Sequence, residues 1–378
     1  MPKPPTITDV ADEAGVSIST VSRHMRGDRV RAAKRIDRAI ARLRYRPSPA
    51  ARSLKSGKTG AVALVVPDVT NPFFAAVVRG AESITAQGRH IIFLANTDES
   101  DDREAAVIED LLSRVDGMLL APASESDPNP QRLADAGVPT VLIDREGPSA
   151  GCFDVVLVDN YGGARSAVGY LLSLGHQRIA TIAGPVGSTP GRLRLEGYSA
   201  TMAEAGIDPP SAFVQPGGFM EHGGYQAMMQ LLALPDPPTA VFVANNLMTI
   251  GALRAIKDIG VRVPDDLSII GFDDHPFSEI LDPPLTVVGR PMEQQGALAM
   301  RMLLSRMSEN PGRMARRVVL DTHLIQRASC SPPRENPMST PEGARALINK
   351  LPKHPHPERG SPDGSGRKRT GTTLERRN

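Results

Sequence analysis

The chain has 378 residues, 40% of them hydrophobic, and a formal net charge of +2, enough length for two or three domains with substantial cores. No stretch approaches the roughly 18 apolar residues that span a bilayer, and the N-terminal MPKPPTITDV lacks the apolar segment of a secretory signal, so no membrane is expected and the cytoplasm is the expected location. Cys152 and Cys330 lie far apart without metal-ligand neighbours, which argues against a disulfide scaffold and against zinc, and no cofactor is expected.

The small net charge hides a segregation. Residues 1 to 59 carry 14 Lys or Arg against 5 Asp or Glu, residues 331 to 378 carry 10 against 5, and the stretch between is left with −12. A basic head on an acidic body points to a polyanionic partner for the head alone.

TITDVADEAGVSISTVSRHM (6–25) reads as two short helices joined by a tight turn. Thr8 caps the first, Val10, Ala11 and Ala14 form its inner face, Gly15 allows the turn, and Ser17 or Ser19 opens the second, with Val21 facing back. The second helix projects Ile18, Ser19, Thr20, Ser22, Arg23 and Arg26 outward, a set that suits phosphates and base edges in a major groove. A third helix, Ala32 to Arg44, carries Ile36, Ile40 and Leu43 on one stripe and completes an all-α head. The competing reading is a surface helical hairpin with solvated charges; the small-residue turn and the basic excess speak against it. RPSPAARSLKSGKTG (46–60) then begins like a helix, with Ser48 placed to cap, Pro49 in the first turn and Gly57 as a stop. Such a helix is too short to hold alone in water.

From Ala61 apolar runs alternate with helical stretches: AVALVVPD (61–68), HIIFLANTD (90–98), GMLLAPA (117–123), TVLID (140–144), DVVLVDN (154–160), RIATIAG (178–184), AVFVANN (240–246) and LSIIGFDD (267–274). This pattern predicts βαβ units and parallel sheets covered on both faces, divided into two lobes, with Asn160 capping the first helix of the second lobe. The body is expected over 61–330, its first lobe formed by about 61–158 plus 290–325 and its second by about 159–289. Residues 331–378, rich in Pro, Gly, Ser and charge, read as a disordered basic tail.

Ligands of open α/β sheets sit beyond the carboxyl ends of the strands. The sequence places Asp68, Asn71, Phe74, Asn96, Asp144, Arg145, Asn245, Asn246, Asp273 and Asp274 there, with Arg192, Arg194 and Phe219 from the connecting segments. Carboxylates, amides and guanidinium groups beside aromatic faces suit a polyhydroxylated or anionic metabolite. A hydrolase reading lacks a G-x-S-x-G elbow, a dinucleotide enzyme lacks G-x-G-x-x-G after the first strand, and His176, His222 and His275 have no metal spacing. The body is therefore expected to bind and not to catalyse.

TITDVADEAGVSISTVSRHM, YRPSPAARSLKSGKTGAVALVVPDVTNPFF, GHQRIATIAGP, GRLRLEGY, VANN and IIGFDD, in this order, resemble the lactose-repressor (LacI/GalR) family of bacterial transcription regulators, from about Thr6 to about Ser329. The resemblance implies a homodimeric, operator-binding repressor with a periplasmic-binding-protein-like body and affinity for double-stranded DNA controlled by a small effector. It implies a helix-turn-helix DNA-binding domain at 1–47 and a hinge helix and linker at 48–60 that folds on the operator, with Leu54 as the minor-groove wedge. Thr8, Ser17, Ile18, Ser19, Thr20, Ser22, Arg23, Arg52 and Leu54 make up the DNA-facing set. Asp144, Arg194, Phe219, Asn245 and Asp273 are the implied effector contacts, joined by Asn71 and Phe74 from the strand ends. The stretch 25–40 looks about three residues shorter than the family pattern. The alternative function is a sugar-binding protein of transport type with no DNA role; the basic head and the missing signal argue against it.

Overall fold

The computed structural model describes residues 5–46, 58–86, 90–148, 151–308 and 314–334. The hinge segment 47–57, with Ser48, Arg52 and Leu54, lies outside the described residues, as does the tail from 335.

Three helices form the head: α1 (Ile7–Ala14), α2 (Ile18–Met25) and α3 (Ala33–Leu43). Thr6, not Thr8, is the N-cap of α1: its hydroxyl accepts from the Asp9 amide while the Asp9 carboxylate accepts from the Thr6 amide, a reciprocal capping box. Thr8 is two residues too late and sits exposed in the first turn. Gly15 ends α1 in the left-handed region, φ 61°, as the tight turn requires. Val10, Ala11, Ala14, Val21, Ala32, Ile36 and Ala39 close a small core. His24 to Asp37 at 2.7 Å and Arg42 to Glu13 at 2.6 Å tie the helices around it.

The body holds two six-stranded sheets. The chain runs β1 (Ala61–Val66), α4 (Pro72–Thr85), β2 (Ile91–Asn96), α5 (Asp101–Leu112), β3 (Met118–Leu120), α6 (Asn129–Asp135), β4 (Thr140–Ile143) and β5 (Asp154–Val158) through the first lobe. It continues α7 (Asn160–Ser173), β6 (Ile179–Ala183), α8 (Thr189–Glu204), β7 (Val214–Pro216), α9 (Glu221–Leu232), β8 (Ala240–Val243), α10 (Asn246–Ile259), β9 (Ser268–Phe272), α11 (Pro276–Ile280) and β10 (Thr286–Gly289) through the second. It then returns to the first with α12 (Met292–Ser308) and β11 (Arg317–Leu320), and ends at β12 (His323–Ile325). The first sheet has the order β11-β5-β4-β3-β1-β2 and the second β12-β10-β9-β8-β6-β7. Central strands are buried on both faces, the reason the sequence shows continuous apolar runs instead of alternation.

Several boundaries differ from the sequence reading. β12 belongs to the second sheet, where it pairs antiparallel with β10, so the second lobe takes back the chain at 323 and the sheets are not wholly parallel. Ser331 is packed there too: its carbonyl accepts from the Ser268 hydroxyl at 3.1 Å, and Arg334 pairs with Asp266 at 3.0 Å. The tail therefore starts later than 331. Asp159, not Asn160, caps α7 by accepting from the Gly162 amide.

The lobes are joined by three crossings: at Asp159–Asn160, at Arg290 between β10 and α12, and at 321–322 between β11 and β12. α12 lies tightly against α4. A Cβ on Gly80 would stand 1.9 Å from the Glu293 carbonyl oxygen, and one on Gly296 would stand 2.0 Å from that of Val77, so both positions need glycine for the backbones to approach.

Candidate DNA face and effector cleft

Ser17 caps α2, its hydroxyl accepting from the Thr20 amide at 3.3 Å and lying within 2.8 Å of the Ser19 and 2.9 Å of the Thr20 hydroxyls. Ser19, Arg23 and Arg26 are exposed, Thr20 and Ser22 are half-buried, and Ile18 is 45% exposed. An apolar side chain so exposed at the start of a helix, next to a row of hydroxyls, is not held there by packing. Arg23 has one exposed partner, Asp28 at 3.5 Å, a pairing that phosphate can replace at little cost. Where the linker meets the body, Thr59 and Gly60 are anchored: both amides and the Thr59 hydroxyl donate to the Asp116 carboxylate at 2.6 to 2.9 Å.

The second site lies between the lobes. Asn71, Phe74, Asp144, Arg194, Phe219, Asn245 and Asp273, singled out from sequence, all line one cleft, together with Asp68, Phe73, Glu99, Arg145 and Arg290. Local conformation explains much of the convergence. Asp144, Phe219 and Asp273 take φ of 67°, 61° and 79°, strained values for residues with a side chain, which aim the chain off the strand ends into the cleft. Asn71 and Asn245 do double duty. Each caps the following helix, accepting from the Phe73 and Met248 amides, and each also touches a cleft neighbour: Asn71 accepts from Asn246 Nδ2 at 2.9 Å, and Asn245 Nδ2 donates to the Phe219 carbonyl at 3.2 Å.

Arg194 is buried and lies flat on the Phe272 ring at 3.5 Å. It donates through Nε to Asn160 Oδ1 at 2.8 Å and through Nη1 to the Ala244 carbonyl, while Nη2 has no protein partner. With burial, and then the like charge of Arg290, outweighing the carboxylates of Asp273 and Asp144, its pKa falls to about 9. A buried guanidinium with a donor to spare invites an acceptor oxygen from a ligand.

The sequence reading missed the residue at the centre. Arg290 reaches from the second crossing to Asp144 of the first lobe at 2.6 Å and to Asp273 of the second at 2.5 Å, and lies over the Phe73 ring at 3.5 Å. Burial works against its charge, but the two carboxylates hold its pKa above the usual value. Arg145 is likewise buried, paired in two-pronged fashion with Glu99 at 2.6 and 2.7 Å. Only the position of Arg290 in the turn after LTVVG hinted at this role.

Arg192 is not in the cleft. It bridges to Glu125 of the first lobe at 2.9 Å, and Glu125 also accepts from the Thr189 hydroxyl at 2.7 Å and donates its amide to the Gly187 carbonyl at 2.8 Å. This clasp closes the lobes in front of the cleft, and the space left inside is about 30 Å³, on the scale of one water. Asp274 faces away and pairs with Arg327 at 2.9 Å. Among the described residues no cluster of His, Cys, Asp or Glu could hold a metal ion, and no helix is long and apolar enough to cross a membrane.

A three-helix head with an exposed recognition helix, set before two lobes that close on a polar cleft, defines a ligand-responsive DNA-binding regulator. Comparison with known proteins agrees: residues 6–48 match the lacI family of bacterial regulatory proteins, and residues 168–330 match the periplasmic binding protein-like domain. The ribose operon repressor of Escherichia coli (strain K12) is 37% identical over 329 residues, 86% of this chain and 99% of the repressor. Among solved structures, the transcriptional regulator CelR–cellobiose complex is 36% identical, with TM-score 0.67 over 86% of this chain and 99% of that one. The lac repressor dimer bound to operator and the anti-inducer ONPF is 27% identical, with TM-score 0.77 over 87% of this chain and 100% of that one. The chain belongs to the lacI family of bacterial regulatory proteins.

Proposed function

We propose that this regulator is a homodimeric repressor whose affinity for a near-palindromic operator is set by a sugar-like or anionic metabolite held between the lobes. The observation that carries the reading is the cleft: five residues that follow the ends of β1, β4, β8 and β9 meet there with Phe219 and with Arg194, whose guanidinium is under-satisfied. Asp144 and Asp273 accept from ligand hydroxyls, Arg194 Nη2 donates to a ligand oxygen, and the faces of Phe74 and Phe219 cover apolar parts of a ring. The relatives bound to cellobiose or named for a ribose operon support a carbohydrate. The cleft binds and does no chemistry.

On the DNA side, Ser17, Ile18, Ser19, Thr20, Ser22 and Arg23 of α2 meet the major groove and Thr8 lies on the flanking backbone; Arg52 and Leu54 belong to the hinge. The dimer has surface to use: β2 is an edge strand with Ile91 66%, Phe93 41% and Leu94 48% exposed, and the second lobe carries a groove of about 780 Å³ beside Ile280, 83% exposed. Apolar patches of this extent mark contact sites.

Selected-sequence binding with the full chain tests this. The expected product is an inverted repeat bound by two chains, with affinity falling steeply with salt, and a thermal-shift screen of sugars and sugar phosphates, read with an external dye because the chain has no Trp, should return a stabilising compound. Recovery of single half-sites, or of no compound, removes the respective half of the proposal.

A further inference from the structure

We infer that Arg290 is an internal occupant of the cleft, a side chain that stands in for the effector on Asp144 and Asp273 and must leave those carboxylates for a ligand to enter. The inference rests on the reading of the cleft as the effector site and concerns how that site is kept shut.

The argument is one of space and pairing. About 30 Å³ remains inside the closed cleft, and Arg290 is one of the side chains that line it. Arg290 meets the requirements of a bound ligand point by point. Its plane is stacked on an aromatic face, that of Phe73 at 3.5 Å; its Nη1 donates to one lobe through Asp144 and its Nε and Nη2 donate to the other through Asp273. Apart from Asp144 and Asp273, it faces Arg194, a like charge that gains nothing from its presence, and the His275 ring, on which its charge also acts unfavourably. Hydroxyl groups donating to the same two carboxylates would meet the needs that Arg290 now meets. Because Arg290 stands at a lobe crossing, its departure removes a bond between the lobes at the same moment that a ligand makes one. The pairing that holds the two lobes together is thus built into the sequence at a position outside the strand-end motifs.

The test is chemical replacement in the full-length protein. Arg290→Ala removes the side chain and leaves a guanidinium-shaped gap, so methylguanidinium at millimolar concentration should bind it one to one, at least tenfold more tightly than it binds wild type, and restore the melting temperature lost on substitution. If Arg290→Ala does not fold, Arg290→Ala with Asp144→Asn relieves one unpaired buried carboxylate and should still bind methylguanidinium through Asp273, more weakly. Equal methylguanidinium affinity of variant and wild type overturns the inference. Sugars are scored in a separate arm: D-ribose, cellobiose and ribose 5-phosphate are each titrated into both proteins. A sugar that binds should bind Arg290→Ala more tightly and be competed by methylguanidinium; tighter binding to wild type would show that Arg290 holds ligand and overturn the displacement. If no sugar binds either protein, the effector reading fails while the methylguanidinium result still decides what fills the cleft.

Discussion

The head and the cleft solve opposite problems with the same residue types. In the head a small apolar core of seven buried residues holds α2 in place, and its hydroxyls and guanidinium groups are left facing water, so a polyanion can be met without rearrangement. In the cleft the charges are buried and, Arg194 apart, answered from within: Arg290 by Asp144 and Asp273, Arg145 by Glu99. Carboxylates that are already paired in this way can take a ligand only by exchanging partners, and an exchange that spans both lobes moves them. The difference teaches where the switch belongs. The face of α2 is preformed within the head, while the exchange inferred at Arg290 would give the cleft two arrangements to choose between.

This contrast can be broken at its supports. The largest effect is expected in the head core: Ile36→Ala, at a fully buried position, should cost about 2–5 kcal/mol, unfolding the head in a separate low-temperature transition while the body melts as before. Calorimetry of the full chain reads both. Next is Asp154, buried on β5 between Arg306 and Arg316 at 2.9 and 2.8 Å. Asp154→Ala should destabilise the body by about 3 kcal/mol, the low end for breaking a buried pair because both arginines are partly exposed. Urea unfolding measured on the body transition checks it, and the head transition should not move.

A pH profile sharpens the picture of self-answered charge. Glu104 on α5 and Asp127 are both fully buried, and Glu104 Oε1 and Asp127 Oδ2 each lack a partner that one shared proton would supply. Burial, reinforced by Asp127, pushes the Glu104 pKa up from 4.5 to about 10. A carboxyl raised in the folded state contributes stability that is whole below its unfolded pKa and is lost as pH rises through the folded one. Stability should therefore fall from about pH 5 to about pH 10, and Glu104→Gln, whose amide can donate where the proton did, should flatten that slope. An unchanged slope would mean Glu104 is ionised at neutral pH. The smallest effect is at the tip of the head: Ser17→Ala loses the α2 cap and about 1 kcal/mol, read as a slight fall in head melting and a larger fall in specific DNA binding than in random binding.

How much of this was readable in the sequence follows the distance over which each feature is decided. The head was almost wholly legible, because cap, turn and inward stripe fall within 20 residues; even there the cap moved from Thr8 to Thr6, since Asp9 completes a box only with Thr6. Central strands were legible as apolar runs. β7, β11 and β12 were not, because these edge strands are only half-buried and show little pattern, and β10, as short and buried as β4 and β8, was also missed. Cleft residues on strand ends could be named singly. Arg290, which meets Asp144 across 146 positions of sequence, and Glu125 with Arg192, across 67, are pairings made by the closing of two lobes, and no local signal announces them.

The account stands most directly on reciprocity between its two sites. Operator affinity of the full chain is measured with and without a saturating stabilising sugar, and affinity for that sugar is measured with and without operator. Linkage requires the two ratios to be equal, and the account predicts a common factor on the order of 5 to 150 that disappears in Arg194→Ala while operator binding without sugar is retained. Sugar and operator that bind without altering each other's affinity would contradict it.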